Sequence, residues 1–111
     1  MTTLAGQAGV KGSVDGVGTA ASFNQPYGIA VDSSHSVYVA DSGNNTIRKI
    51  TPNGSGSLVS TLVGVAGVSG VALGDLPGSL SAPLGVAMNA AGDLLITSSN
   101  AVLVASKEGG F

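Results

Sequence analysis

Cysteine is absent from this chain, and cationic side chains are scarce. Without a thiol, the chain cannot form disulfides, thiolate metal sites or a cysteine nucleophile. The formal net charge is -2, and the four cations form no basic patch: Lys11, Arg48, Lys49 and Lys107. Nucleic-acid binding requires clustered positive charge that neutralises phosphates. We therefore predict no nucleic-acid partner.

Long hydrophobic runs are also missing. No apolar run approaches the roughly 20 residues that a membrane-spanning helix needs, so we predict no membrane association. Residues 1–6 have neither a basic start nor an apolar segment of signal-peptide length, and we expect no signal peptide in this chain. Charged residues make up only 9% of the composition. We find no set of acidic, basic and nucleophilic residues that predicts catalysis.

Glycine and apolar residues are abundant, with 18 glycines and a hydrophobic fraction of 43%. Disordered chains lack this much buriable surface, so the composition favours a folded domain. The glycines separate short runs that are rich in β-branched residues, a pattern typical of strands joined by tight turns. The sequence therefore predicts an all-β fold that requires no helix.

Residues 26–50 contain three short apolar runs separated by two polar turns, and a weaker copy follows 57 positions later. Three positions match at that shift: Pro26 with Pro83, Gly28 with Gly85, and Ala30 with Ala87. The first copy predicts strands at residues 28–32, 37–41 and 46–51, with a fourth at 58–63. The second copy predicts matching strands at its start and at residues 94–97 and 101–105.

The sequence thus predicts one short strand at residues 2–5, then the four strands of the first copy, and then the three strands of the second copy. Four antiparallel strands in a repeat of roughly 40–50 residues are typical of a β-propeller blade. We predict two such blades in permuted phase, which means that the chain starts and ends out of phase with the four-strand repeat. Residues 1–57 hold the N-terminal strand, a Gly-rich loop and the first blade. Residues 58–111 hold the first blade's fourth strand, a second Gly-rich loop and a degenerate second blade that lacks its own fourth strand.

Three segments resemble the NHL repeat: PYGIAVD from Pro26, VYVAD from Val37 and NNTIRKI from Asn44. The upstream Gly-rich loop resembles that of the longer NHL repeats of bacterial and extracellular proteins. The resemblance implies a β-propeller, usually of six blades, that serves as a binding scaffold for protein, RNA or ligands. It also favours an extracellular or periplasmic location. Some relatives of the fold are lyases or lactonases, so a fragment of a propeller hydrolase or lyase with a channel-mouth site is the alternative.

Two blades cannot close a ring, and head-to-tail association of chains would complete it. Three copies would give six blades. The N-terminal strand of one copy would then supply the missing fourth strand of another, which predicts two sets of closure residues: Thr2, Thr3, Leu4 and Ala5, and Val102, Leu103 and Val104. The alternative is that the chain is part of a larger propeller. Both interpretations expect exposed blade faces and unpaired strand edges on an isolated monomer.

Asp41 ends the second predicted strand, and Arg48 lies in the third, across the turn. Facing residues on neighbouring strands can form an ion pair, and we predict one here. In the second copy Ser98 stands for Asp41 and Leu103 for Arg48, so both charges disappear together. The joint loss favours a structural pair over a ligand contact.

Five residues are candidates for a binding face: Gln25, Tyr27, Asp32, Leu84 and Asn89. Asp32 and its counterpart Asn89 follow the inner strands near the channel mouth, where they could cap turns or contact a ligand. Gln25, Tyr27 and Leu84 lie beside the two inner-strand prolines, at positions suited to a protein or glycan ligand. His35 is the only histidine and is predicted to be a solvated turn residue.

The Gly-rich loops predict neither a phosphate site nor a calcium site. A phosphate loop requires a following helix, and a calcium site requires about six oxygen ligands. Asp15 is the only carboxylate in the first loop. We therefore predict no cofactor, no metal and no catalytic residue. The predicted function is a non-enzymatic interaction scaffold.

Overall fold

Two antiparallel sheets make up the fold in a computed structural model, which describes residues 4–7, 9–53, 56–63, 83–89, 92–98 and 101–105. The first sheet has the strand order β1-β5-β4-β3-β2, and the second has the order β6-β7-β8. The strands are β1 (Gly16–Val17), β2 (Pro26–Val31), β3 (Val37–Asp41), β4 (Thr46–Asn53), β5 (Gly56–Val63), β6 (Pro83–Met88), β7 (Leu94–Ser98) and β8 (Ala101–Ala105).

The described residues contain no α-helix, only two short 3-10 turns at Gly18–Ala20 and Ser42–Asn44. Accordingly, no helix in the described ranges is long and apolar enough to cross a membrane. The second 3-10 turn ends at Asn45, whose φ of 59° is left-handed. Asparagine tolerates this region better than most residues, which explains how the turn returns the chain directly into β4.

The two sheets repeat one pairing register. Ile29 pairs with Val39 in the first sheet, and Val86 pairs with Ile96 in the second. Each pairing is preceded by a register shift immediately after the proline that starts the inner strand. The third strands correspond as well, because Arg48 pairs with Val39 while Leu103 pairs with Ile96. The sheets are therefore two blades of one kind, as the sequence predicts, and Leu103 occupies the position of Arg48.

The strand inventory differs from the prediction at the N-terminus. Leu4 and Ala5 lie in bends and in no strand, while Thr2 and Thr3 lie outside the described residues. The extra strand of the first sheet is instead β1, which comes from the Gly-rich loop and pairs with β5. Ala5 packs against the first blade, because it belongs to the apolar cluster beneath that loop.

Each blade contributes to an apolar core between the sheets. Tyr38, Ala40 and Ile47 of the first blade form one buried cluster with Leu94 and Ile96 of the second. The opposite face of the first blade has a separate cluster, which the Gly-rich loop covers in part: Ala21, Val39, Ile50 and Val59, with Ala5, Phe23 and Val37 at its margin. Side chains alternate across a strand, so one blade presents a different apolar face to each side.

Candidate functional site

Arg48 is fully buried and lies at the centre of the largest polar network among the described residues. Its Nη1 donates to Asp41 Oδ2 at 2.9 Å and to the Ser22 carbonyl at 2.8 Å. Its Nη2 donates to Asp15 Oδ1 at 2.8 Å and to the Val14 carbonyl at 2.9 Å. A guanidinium so engaged has little capacity left for a ligand. Arg48 therefore ties the Gly-rich loop to the first blade.

Asp41 is also fully buried, and both of its oxygens accept hydrogen bonds. Oδ1 accepts from the Asn24 backbone N–H at 2.7 Å, and Oδ2 accepts from Asn44 Nδ2 at 2.7 Å in addition to Arg48. Asn44 also donates to the Gly12 carbonyl at 2.7 Å. The structure thus places the predicted pair in direct contact, inside a network that anchors the loop at several points.

Two members of this network, Asp15 and Phe23, could not be predicted from the sequence as contacts of Arg48. Asp15 has a half-exposed side chain and shares one oxygen between Arg48 and the Thr61 hydroxyl, at 3.0 Å from the latter. The ring of Phe23 lies 4.8 Å from the Arg48 guanidinium carbon, within the range of a cation–π contact. Both residues reach Arg48 from the loop, and no periodic spacing in the sequence signals either contact.

Asp32 caps the hairpin turn after β2. Its Oδ1 accepts the backbone N–H groups of Ser34 at 2.8 Å and Ser36 at 2.9 Å, and its Oδ2 accepts the Tyr38 hydroxyl at 2.8 Å. Burial acts to raise the Asp32 pKa, but these three hydrogen bonds and the nearby Lys49 lower it overall. Burial, together with the Asp32 carboxylate, raises the pKa of the Tyr38 phenol. The two groups are therefore held as carboxylate and neutral phenol.

Asn89 repeats this cap in the second blade. Its Oδ1 accepts the Asp93 backbone N–H at 2.9 Å, and its backbone N–H donates to the Asp93 carbonyl at 3.0 Å. The Asp32 backbone N–H likewise donates to the Ser36 carbonyl at 3.0 Å. Asp32 and Asn89 also line one cleft of about 370 Å³, together with Lys49. The structure therefore brings these two candidates together, with each engaged in its own turn.

His35 occupies a left-handed backbone position in the first of these turns. Its φ is 68°, its side chain is exposed, and its N–H donates to the Asp32 carbonyl at 3.1 Å. Gly92 has the equivalent role in the second turn, with a φ of 86° and a matching bond to the Asn89 carbonyl at 3.1 Å. His35 is thus placed by turn geometry, at a position where the other blade uses glycine.

We expect His35→Gly to raise the free energy of unfolding by up to about 1.5 kcal/mol. Relief of roughly 1–2 kcal/mol of left-handed strain outweighs the roughly 0.5–1 kcal/mol that glycine costs in chain entropy. His35→Val should lower it, because a β-branched residue resists positive φ. Thermal unfolding of both variants checks the order. A less stable glycine variant would contradict this explanation.

The other three binding-face candidates, Gln25, Tyr27 and Leu84, lie near the starts of the inner strands and not at this cleft. Gln25 and Tyr27 are exposed at the start of β2, whereas Asp32 follows its end. At roughly 3.3 Å per residue, Tyr27 and Asp32 are separated by roughly 16 Å along the strand. Leu84 lies in β6, and its side chain is outside the described part of the structure. The five candidates therefore divide between two ends of the inner strands and do not form one patch.

The residues predicted to close a ring between copies differ from one another in burial and in strand pairing. Leu103 packs in the core between the blades, whereas Val102 and Val104 are exposed on β8. Among the described strands, β8 pairs with β7 alone. In the N-terminal segment Leu4 is exposed, and the N–H of the neighbouring Gly6 donates to the Gly18 carbonyl at 3.1 Å. The described part of that segment thus rests on its own blade.

In the described ranges, no group of three or more His, Cys, Asp or Glu side chains is placed to hold a metal ion. The half-exposed Asp15 carboxylate, the sole acidic group of its loop, is already paired with Arg48. The polar groups of the two turns likewise bond chiefly within their own hairpins. The chemistry available at these positions is hydrogen bonding at the exposed rim of the cleft.

Antiparallel blades that stack face to face define this chain as a β-propeller type of structure. Residues 23–50 match the NHL repeat family, so the chain contains an NHL repeat in its first blade. No curated protein sequence matches the chain.

Two solved structures from Bacteroides thetaiotaomicron VPI-5482 are similar to this chain. An auxiliary nutrient binding protein is 28% identical with a TM-score of 0.71, and the match covers 84% of this chain and 25% of that one. A structural genomics protein of unknown function is 26% identical with a TM-score of 0.77, covering 86% of this chain and 24% of that one. This chain therefore spans about a quarter of the length of either structure.

Proposed function

We propose that the chain is a non-enzymatic β-propeller interaction scaffold whose two blades are part of a ring completed by further blades. The supporting observation is that each blade leaves aliphatic side chains exposed on the side turned away from the other blade. We name these faces by their residues. The head face consists of Ile29 and Val31 on β2, and the tail face consists of Val102 and Val104 on β8.

In the second blade, the residues equivalent to the head face are covered. Ile29 is 64% exposed and Val31 is 55% exposed. Their equivalents in the second blade, Val86 and Met88, are partly buried against the core between the blades. The same positions are thus exposed in the first blade and covered in the second blade, which packs against the first.

For the tail face, the exposed residue lies in the second blade and its buried equivalent lies in the first. Val102 is 72% exposed, whereas its equivalent Ile47 is fully buried by the contact between the blades. The register fixes this equivalence, because Ala40 pairs with Ile47 and Thr97 pairs with Val102. Large exposed apolar surfaces on soluble proteins often mark contact sites. A further blade packed on each face would cover the exposed aliphatic side chains of both the head face and the tail face.

Further blades can come from other copies or from a longer chain. Head-to-tail contacts between copies are heterologous and form a ring when the rotation closes, and three copies would supply six blades. The similar solved structures are about four times as long as the matched region, which supports a larger propeller. In either case, the complete ring is the functional unit of the proposal.

A binding role is supported by the name of one similar structure, an auxiliary nutrient binding protein. We propose that the ligand is a protein or a glycan, bound at one end of the inner strands. Tyr27 is 68% exposed at one end, and the cleft beside Asn89 lies at the other. Exposed aromatic and amide groups can supply stacking and hydrogen bonds to such ligands.

A glycan array followed by titration calorimetry tests this proposal, with Tyr27→Ala and Asn89→Ala as matched variants for the two ends. Binding should weaken at least tenfold in one variant and remain unchanged in the other. The enzymatic alternative is tested with lactone and ester substrates in the presence of added divalent cations. Turnover that disappears in Asp32→Ala would contradict the scaffold proposal.

A further inference from the structure

We infer that the cleft between the two blades binds a neutral mono- or disaccharide, held between the turn after β2 and the turn after β6. The inference rests on the proposed function and specifies the place of the site and the chemistry of its ligand. It selects this cleft over the Tyr27 end of the inner strands. Both described walls of the cleft belong to this chain.

Each wall of the cleft comes from one blade. The first blade contributes the turn after β2 and the side chains of Tyr38 and Lys49, and the second contributes the end of β6 and the turn that Asn89 caps. The volume of about 370 Å³ lies within the range of roughly 300–1,000 Å³ that small-molecule pockets occupy. Hydrogen bonds to Asp32 and Asn89 fix the two turns, so the polar rim is preorganised for a ligand.

The charges at the cleft favour a neutral ligand. Asp32 and Lys49 are the charged residues among the described side chains that line it. Lys49 Nζ lies 5.7 Å from the centre of the Tyr38 ring, and the Tyr38 hydroxyl donates to Asp32 Oδ2 at 2.8 Å. In this compensated cluster the carboxylate repels anions and the ammonium repels cations. Asp93 Oδ2, which accepts from Asn89 Nδ2 at 3.3 Å, adds negative charge near the rim and disfavours an anion further.

The uncharged groups of the cleft match the surface of a sugar ring. Four of the described lining residues carry a hydroxyl or amide group on a short side chain: Ser33, Ser34, Ser36 and Asn89. Such groups both donate and accept hydrogen bonds, as sugar hydroxyls require. Val31 and Met88 add aliphatic surface to the same cleft. A pyranose ring carries hydroxyl groups at its edge and C–H groups on its faces, so it can contact both kinds of surface.

Blade packing alone does not require the polar groups of this cleft. Tyr38 pairs with Lys49 across β3 and β4, whereas Leu95 pairs with Val104 at the equivalent positions of β7 and β8. A blade of this kind therefore folds with an aliphatic pair where the first blade carries a phenol and an ammonium. Partial burial of a lysine costs desolvation energy, so the half-buried Lys49 is better explained by a contact with a ligand.

NMR titration of the full chain with methyl glucoside, methyl galactoside and maltose tests the inference. The backbone amide signals of the two turns that Asp32 and Asn89 cap should shift, since both turns border the cleft. Lys49→Met should weaken binding about tenfold or more, because it removes a charged donor to a sugar hydroxyl. Lys11→Met is the matched control and should bind like the unaltered chain, since Lys11 is exposed on the Gly-rich loop and does not line the cleft.

The charge of the ligand provides a second test. Glucuronate should bind more weakly than methyl glucoside, and Asp32→Asn should narrow that difference, because asparagine removes the repelling carboxylate and keeps an oxygen that can cap the turn, as Asn89 does. Circular dichroism verifies that every variant is folded.

Three results would overturn the inference: no shift in either turn with any of the saccharides, unchanged binding in Lys49→Met, or equal binding of glucuronate and methyl glucoside. Loss of binding in Tyr27→Ala but not in Asn89→Ala would also overturn it. None of these results contradicts the scaffold proposal, which fails separately if the chain turns over a lactone or ester substrate.

Discussion

Replacing Arg48 with leucine should lower the free energy of unfolding by about 3–5 kcal/mol, because removing one member of a buried ion pair leaves the other charge uncompensated. The change would leave the fully buried Asp41 carboxylate without its cation. It would also remove the guanidinium donors to the carbonyls of Ser22 and Val14 in the Gly-rich loop, although Val14 would keep its hydrogen bond from the Ser22 N–H. Urea unfolding followed by circular dichroism measures the loss.

The double change Asp41→Ser, Arg48→Leu should be less destabilising than Arg48→Leu alone. It removes the buried charge while leaving a hydroxyl that can accept the Asn24 N–H. The second blade carries Ser98 and Leu103 at these two positions, so a blade of this kind folds with the replacement pair. A double variant that unfolds at a lower urea concentration than the single variant would contradict the explanation.

Asp15→Asn provides the control for the exposed partner of the same guanidinium. The Asp15 side chain is half exposed, and ion pairs of this kind contribute about 0–1 kcal/mol. We therefore expect a small loss of stability in Asp15→Asn and a large one in Arg48→Leu. A similar loss in both variants would mean that loop attachment, and not the buried pair, determines the effect.

Local patterns in the sequence were sufficient to predict the blades. Alternating apolar residues and turn-forming dipeptides act over a few positions, so strands such as β3 could be placed without coordinates. The contact between Asp41 and Arg48 could be predicted for the same reason, because it spans one hairpin. The internal copy added information, since aligned positions identify Leu103 as the substitute for Arg48.

Contacts over long sequence separations could not be predicted. Asp15 lies 33 positions from Arg48, and the pairing of β1 with β5 joins residues more than 40 positions apart. A Gly-rich loop allows many conformations, and no period in its sequence selects one. Exposed blade faces are expected from the sequence, but the side chains that lie on them could not be identified, because Ile29 and Val86 are similar residues in similar strands. Their different exposure distinguishes the two positions.

Replacing Asp32 with alanine should lower the free energy of unfolding by about 2–3 kcal/mol, since hydrogen bonds to a charged group contribute about 1.5–3 kcal/mol where they are shielded and less where water competes. Alanine removes three bonds at once, to the backbone N–H groups of Ser34 and Ser36 and to the Tyr38 hydroxyl. Asp32→Asn should cost clearly less, because Asn89 caps the equivalent turn with its amide oxygen.

The effect of Asp32→Ala should depend on pH in a defined direction. The hydrogen bonds lower the pKa of Asp32 from its ordinary value of 3.8, so the carboxylate stabilises the folded state fully above that value. This contribution should disappear as the pH falls through the lowered pKa, and the stability curves of the parent chain and of Asp32→Ala should converge there. Urea midpoints measured between roughly pH 2 and pH 7 test this. A difference that stays constant over that range would show that the turn, and not the ionised carboxylate, accounts for the stability.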